Sequence, residues 1–215
     1  MLIERFVVAD TIESPGAVHA LGAEERRDEH MTTPRAYLDA VAEVYTESGA
    51  SLDLRAPLAD ANRDAMLGSL GFGVADWLVD LWRVADGGAA YSSVFARPGF
   101  FTGADFLSVS QALALRNRLR DIAGNFSGWQ EPEPRDGRIR PGWFLDAWVP
   151  FAAFGGSTIV LFADCHPGSG GEVGQVISYV HDPDQIALVA PDGEAYLDAS
   201  LTWFRDQAEE FVLEG

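Results

Sequence analysis

The feature that most constrains what this chain can fold into is a change of hydrophobic period near residue 148. Beyond it, WVPFAAF, STIVLFAD, GQVISYVHD and QIALVAP are short, apolar and rich in β-branched residues, with Gly, Asp and Pro between them. That is the pattern of consecutive antiparallel strands. Before it the apolar residues recur at helical spacing. Tyr37, Leu38, Val41, Val44 and Tyr45 form one stripe behind the capping signal Thr33-Pro34, which predicts a first helix. A second helix is expected over about residues 60–70. A third carries Trp77, Leu78, Leu81 and Trp82 and is expected to stop at Gly87-Gly88. FLSVSQALALRNRLRDIAGNF predicts a fourth, with Leu113, Leu115, Leu119 and Ile122 inward. GWQEPEPRDGRIRPG reads as a surface loop. A closing helix is expected over about 196–212, with Leu197, Leu201, Phe204 and Phe211 on its inner side. Helices, then a meander, then a helix give an α+β domain.

With 215 residues, 47% of them hydrophobic, the chain can bury one good core. The first 30 residues are less patterned, and ESPGAVHALGAEERRDEH reads as a polar connector. Residues 1–32 are therefore expected to form a leader or extension, and 33–215 the folded domain. No apolar run reaches membrane-spanning length, and the amino terminus carries acids too early for a secretory signal. The expectation is a cytoplasmic protein.

Charge narrows the function classes. Thirty-three acids against 15 bases give a formal net charge of −18, a surface that repels nucleic-acid phosphates and anionic membranes and attracts cationic partners. No nucleic-acid or membrane partner is expected. Every base is arginine, since the chain contains no lysine. That removes P-loop lysines, Schiff bases and Ser-Lys catalysis. The single cysteine, Cys165, cannot form an internal disulfide or a thiolate cluster, and reads as a buried free thiol.

The stretch DCHPGSGGEVGQVISYVHD, residues 164–182, places that cysteine and two of four histidines beside a glycine run. As a dinucleotide loop it fails: GSGGEVG has Val173 where the third glycine is needed, and it joins strand to strand with no helix to hold a phosphate. Asp164, Cys165 and His166 offer metal-ligand chemistry, and Asp164 and His166 could share a face with His181 from the next strand. Most such groups are polar turn residues, so no metal and no cofactor are expected. Cys165 lacks a helix amino terminus or base cluster to activate it, and GGSTI has Ile159 in place of the second glycine of a hydrolase elbow. The stretch reads best as a hairpin turn whose glycines supply positive backbone angles.

The same residues carry a resemblance. A helix ending in a Gly-Gly turn (VDLWRVADGG), a tryptophan-led strand (WVPFAAFGG), then Asp164, Pro167-Gly168, Gly174-Gln175-Val176 and His181-Asp182, and a closing helix (LDASLTWF) resemble the SUKH superfamily, the group of the fungal cell-wall assembly regulator. The resemblance covers about residues 67–204. The leader before Met31 is extra, and PDGEAYLDA lengthens the usual join to the last helix. Membership implies a curved antiparallel sheet with flanking helices and no catalysis. Bacterial members look like immunity proteins that neutralise a cognate toxin, often a nuclease or another nucleic-acid-modifying enzyme; fungal relatives act as interaction hubs. The expected function is therefore an immunity protein whose partner is a basic toxin. A non-catalytic adaptor, and an enzyme built on Asp164, His166 and His181, are the alternatives. Asp86, Gly88, Asp164, His166 and Glu172 are the expected partner-binding positions, with Trp148 shaping the sheet face. Arg138 and Arg140 could seed an interface from the Pro/Gly loop.

Overall fold

In the computed structural model, which describes residues 32–212, three helices precede the sheet: α1 Pro34–Glu47, α2 Asp60–Gly68 and α3 Asp76–Val84. The sheet strands are β1 Ser93–Ala96, β2 Gly103–Phe106, β3 Trp148–Phe154, β4 Ile159–Asp164, β5 Gln175–His181 and β6 Asp184–Ala190. Helix α4, Val109–Ile122, lies between β2 and β3, and α5, Gly193–Asp206, with the short α6, Ala208–Phe211, follows the last strand. All neighbouring strands are antiparallel and the sheet order is β1-β2-β3-β4-β5-β6. The chain belongs to the α+β class. The leader expected over 1–32 lies, apart from Thr32, outside the described residues.

Both faces of the sheet are covered, which is why the central strands read as apolar runs without clean alternation. Every residue of β4 is buried, and all of β3 except Phe154. Leu161 and Ala163 point into a core built with Tyr37, Trp82, Tyr196 and Phe204 from α1, α3 and α5. Their neighbours Val160 and Phe162 point into a second core with Leu115, Leu119, Ile139, Phe144 and Trp148. Period-2 alternation thus distributes one strand between two cores.

The sheet is strongly curved. Arg97, just past β1, donates from Nε to Ser178 Oγ of β5 at 2.9 Å. Four strand spacings would place those strands about 19 Å apart in a flat sheet, beyond an arginine's reach. Phe95, Phe106 and Phe151 fill the concave side, their rings edge-to-face at 5.2–5.4 Å.

Several local expectations are corrected. Strands β1 and β2 were not expected: at four residues each they are too short to show a period. Helix α3 ends at Val84 with Ala85 extended, so Gly87 is not its cap. Gly87 has φ +84, and a Cβ there would lie 2.6 Å from the Ser108 amide, so the glycine serves a close approach of two chain segments. On α4, Ile122 is exposed and Ala112 and Arg116 take inward positions. Arg116 is admitted because its guanidinium donates twice to the Asp146 carbonyl oxygen. The closing helix begins at Gly193, so most of PDGEAYLDA is helix rather than a longer join, and it breaks at Gln207.

Candidate functional site

The 164–175 turn is built from its two ends. Asp164 closes β4 and Gln175 opens β5, directly opposite each other. Asp164 is fully buried. Its Oδ1 accepts from the His166 amide and its Oδ2 from Gln175 Nε2, each at 3.0 Å, while its carbonyl accepts from the Gly174 amide at 2.8 Å. Burial pushes the Asp164 carboxyl above its ordinary range, and the His166 and Gln175 donors pull it part of the way back. Gln175 Nε2 also donates to the Arg138 carbonyl at 3.0 Å, and the Gly168 amide to the same oxygen at 2.7 Å. The turn is therefore tied to the Pro/Gly loop. A Cβ at Gly171 would lie 2.7 Å from the Arg138 oxygen, so the glycine run is needed for packing rather than for a phosphate. Burial pushes the Cys165 thiol up to about 11, the wrong direction for a nucleophile.

The residues singled out in the sequence fall into two groups. Asp86 Oδ1 accepts from the Val109 amide at 2.9 Å, holding the start of α4 beside the capping box of Ser108 and Gln111. Gly88 is buried, donates its amide to the Phe106 carbonyl at 3.0 Å and bridges to Leu54. Trp148 is 1% exposed in the second core, with the Arg135 guanidinium 6.0 Å from its ring. Gly88, Trp148 and Asp164 are buried and Asp86 is half-buried in helix capping, while His166 and Glu172 are exposed.

His166 Nδ1 lies 2.8 Å from Arg140 Nη1; because arginine only donates, the imidazole accepts there and carries its proton on Nε2. The pair borders a hollow of about 610 Å³ with Trp143 and the Arg120–Asp146 ion pair. His181 stands at the other end of β5, where its Nδ1 meets Asp184 Oδ1 at 2.8 Å. The structure thus separates His181 from Asp164 and His166. Among the described residues no three His, Cys, Asp or Glu side chains gather as a metal site.

Glu172 opens onto a larger feature. It borders a groove of about 640 Å³ with Asp76, Trp77, Val173, Asp192 and Glu194. Helix rules place the acids. Asp76 and Glu194 stand in the first turns of α3 and α5, and Asp192 caps α5 by accepting from the Ala195 amide at 2.7 Å. Carboxylates favour those positions because amide dipoles point at them. Two helix amino termini meeting at the turn therefore concentrate four acids on one groove, with no arginine or histidine in its lining and no ion pair to any of the four among the described residues.

Trp77 forms the wall. Its Nε1 donates to the Gly174 carbonyl at 3.0 Å, and its ring packs so closely on Gly193 that a Cβ there would lie 2.2 Å from ring atoms. Val173 stands 66% exposed at the rim. Sequence reading missed these partners of Glu172 for identifiable reasons. Trp77 counted as helical stripe, and Asp192-Gly193-Glu194 as part of a join. The signal that could have found them is Asp192 three residues before Ala195, an N-cap.

No curated protein matches this chain. The SMI1 / KNR4 family (SUKH-1) model matches residues 66–199, well over half of the sequence, spanning α3 through the first half of α5 and including the turn, Trp77 and every groove acid. The chain therefore belongs to the SMI1 / KNR4 family (SUKH-1).

Proposed function

We propose that this protein is a non-catalytic immunity protein that binds and neutralises a basic toxin, of the class that acts on nucleic acid. The observation that carries the reading is the groove at Glu172. Four carboxylates that form no ion pair among the described residues surround an exposed valine and a half-buried tryptophan, the combination of charge for approach and apolar surface for retention that protein partners use. An enzyme acting on nucleic acid presents a basic cleft to its substrate, and a chain of net charge −18 is drawn to such a cleft at long range. Family membership supports a binding role, and the full burial of Asp164 in structural hydrogen bonds and the raised thiol of the half-buried Cys165 favour it over catalysis at either residue.

The test is retention of partners by tagged full-length protein from its native cells at low salt, followed by co-expression of each retained protein with and without this chain. The reading expects one basic protein whose toxicity the chain suppresses. Several unrelated partners with no toxic member would favour the adaptor role instead.

A further inference from the structure

A second surface, at the opposite end of β3 from Trp148, has chemistry of a different kind. Tyr91, Phe101 and Phe154 are 85%, 63% and 41% exposed, and all three line one hollow of about 550 Å³ together with Asp105 and Glu210. Exposed aromatic rings gathered on one concave surface are uncommon on a monomer and mark interaction sites. Phe101 is held from behind by Trp203, ring centroids 6.2 Å apart, and Trp203 is fixed by donating from Nε1 to the Phe100 carbonyl at 2.7 Å.

The carboxylate at the base of the hollow sets its specificity. Asp105 is half-buried in β2, opposite Ser93 of β1 and Ala153 of β3. Its Oδ2 accepts from the Tyr91 amide at 3.0 Å, and among the described residues it forms no ion pair. Burial pushes its carboxyl above the ordinary range, so the ionised form lacks the solvation or counter-charge it would have at an open surface. Tyr91 itself sits at φ +64, a left-handed conformation that the Cβ of a tyrosine disfavours. The Asp105 hydrogen bond helps hold this turn, which keeps the Tyr91 ring at the mouth of the hollow.

We infer that this hollow receives an arginine side chain presented by the partner protein, with the guanidinium on Asp105 and its plane against the rings of Tyr91, Phe101 and Phe154. The apolar walls suit the arginine's methylene stem, aromatic faces attract a guanidinium, and the unpaired carboxylate supplies its counter-charge. Glu210 on the rim and the negative field of the chain favour the same sign of ligand. The proposal rests on the reading that the partner is basic. It adds an anchor point separate from the Glu172 groove.

The free chemistry of the site can be tested without the partner. Full-length protein is titrated with n-butylguanidinium and, separately, with the uncharged isostere n-butylurea, while NMR follows the aromatic side chains. The expected result is saturable shifts at Tyr91, Phe101 and Phe154 with the guanidinium, at least tenfold weaker binding of the urea, and a similar loss of guanidinium binding in Asp105→Asn. Phe101→Ser, at a solvent-exposed ring, is expected to weaken binding severalfold with the fold intact. Equal binding of the two probes, or no change in Asp105→Asn, would overturn the proposal. So would a concentration-dependent dimer that Phe101→Ser abolishes, because the surface would then belong to a second copy. If the guanidinium binds as expected but no toxin is ever neutralised, the pocket stands and the partner's identity falls.

Discussion

Asp164 and Gln175 face each other across β4 and β5 with Gln175 Nε2 3.0 Å from Asp164 Oδ2, and this contact joins the Gly174–Asp164 backbone hydrogen bond in closing the turn that carries Glu172 and Val173. Asp164→Ala would leave the part-buried His166 amide without its acceptor and the buried Gln175 side chain with only the Arg138 carbonyl. The expected loss is about 1–3 kcal/mol, the cost of one donor left without an acceptor and a second left with one of its two. Asp164→Asn preserves the shape and an acceptor oxygen, so its loss should be clearly smaller. Urea unfolding of both variants checks the order; equal losses would contradict it.

The same residue gives a pH signature. Its folded carboxyl titrates above the ordinary 3.8, so over the window above that value the folded state holds a proton that the unfolded state has released. Stability from this group is therefore present at low pH and falls as pH rises through the folded pKa. Asp164→Asn removes the titration. The variant should gain on wild type as pH rises from the ordinary value of 3.8 through the folded pKa. A stability difference that stays constant with pH would contradict the assignment.

Gly193 is where the groove depends on a missing side chain. An alanine Cβ would lie 2.2 Å from the Trp77 ring, so Gly193→Ala must displace the indole and with it the hydrogen bond to the Gly174 carbonyl. Overpacking of this kind costs about 1–3 kcal/mol. The variant should lose stability in that range and shift its tryptophan fluorescence, and partner binding should weaken more than the global stability change explains. Unchanged fluorescence with unchanged stability would show that the wall is not built this way.

Cys165 should be inert. With the thiol pushed up to about 11, the thiolate near pH 8 is on the order of a thousandth of the total. Iodoacetamide labelling of the folded protein is expected at least a hundredfold slower than that of an unhindered thiol, with the ordinary rate restored in urea. Fast labelling of the folded chain would reopen a nucleophilic role.

The sequence made the meander legible because β3 to β6 are long enough to show apolar runs, and Leu161 or Ile177 could go to no other place than a core. It hid β1 and β2, whose four residues each are too few to show a period and are stabilised by pairing with each other, by α5 against β1 and by the distant β3 against β2. The turn was legible as a turn, through its glycines and the Asp164 and Gln175 at its ends. What it presents was less so: Glu172 was singled out, but Trp77 and Asp192 join it only after α3 and α5 bring their first turns together. Asp86, Gly88 and Trp148 show the reverse case. Turn-like or aromatic in sequence, they are held by Val109, Phe106 and the second core. Tyr91, Phe101 and Asp105 attracted no notice because nothing local marks residues that a curved sheet gathers at its edge.

The central claim is that the Glu172 groove draws in a basic protein partner. The most direct measurement is the association rate constant of the retained toxin with wild type and with a Glu172→Arg, Glu194→Gln variant, each over a range of salt concentrations. These residues lie at the surface in the turn and the first turn of α5, so the fold should survive, as circular dichroism can verify. Association with wild type is predicted to slow steeply with salt, and the variant to associate at least tenfold more slowly at low salt with a shallower dependence. Identical rates and identical salt slopes for the two proteins would contradict the account.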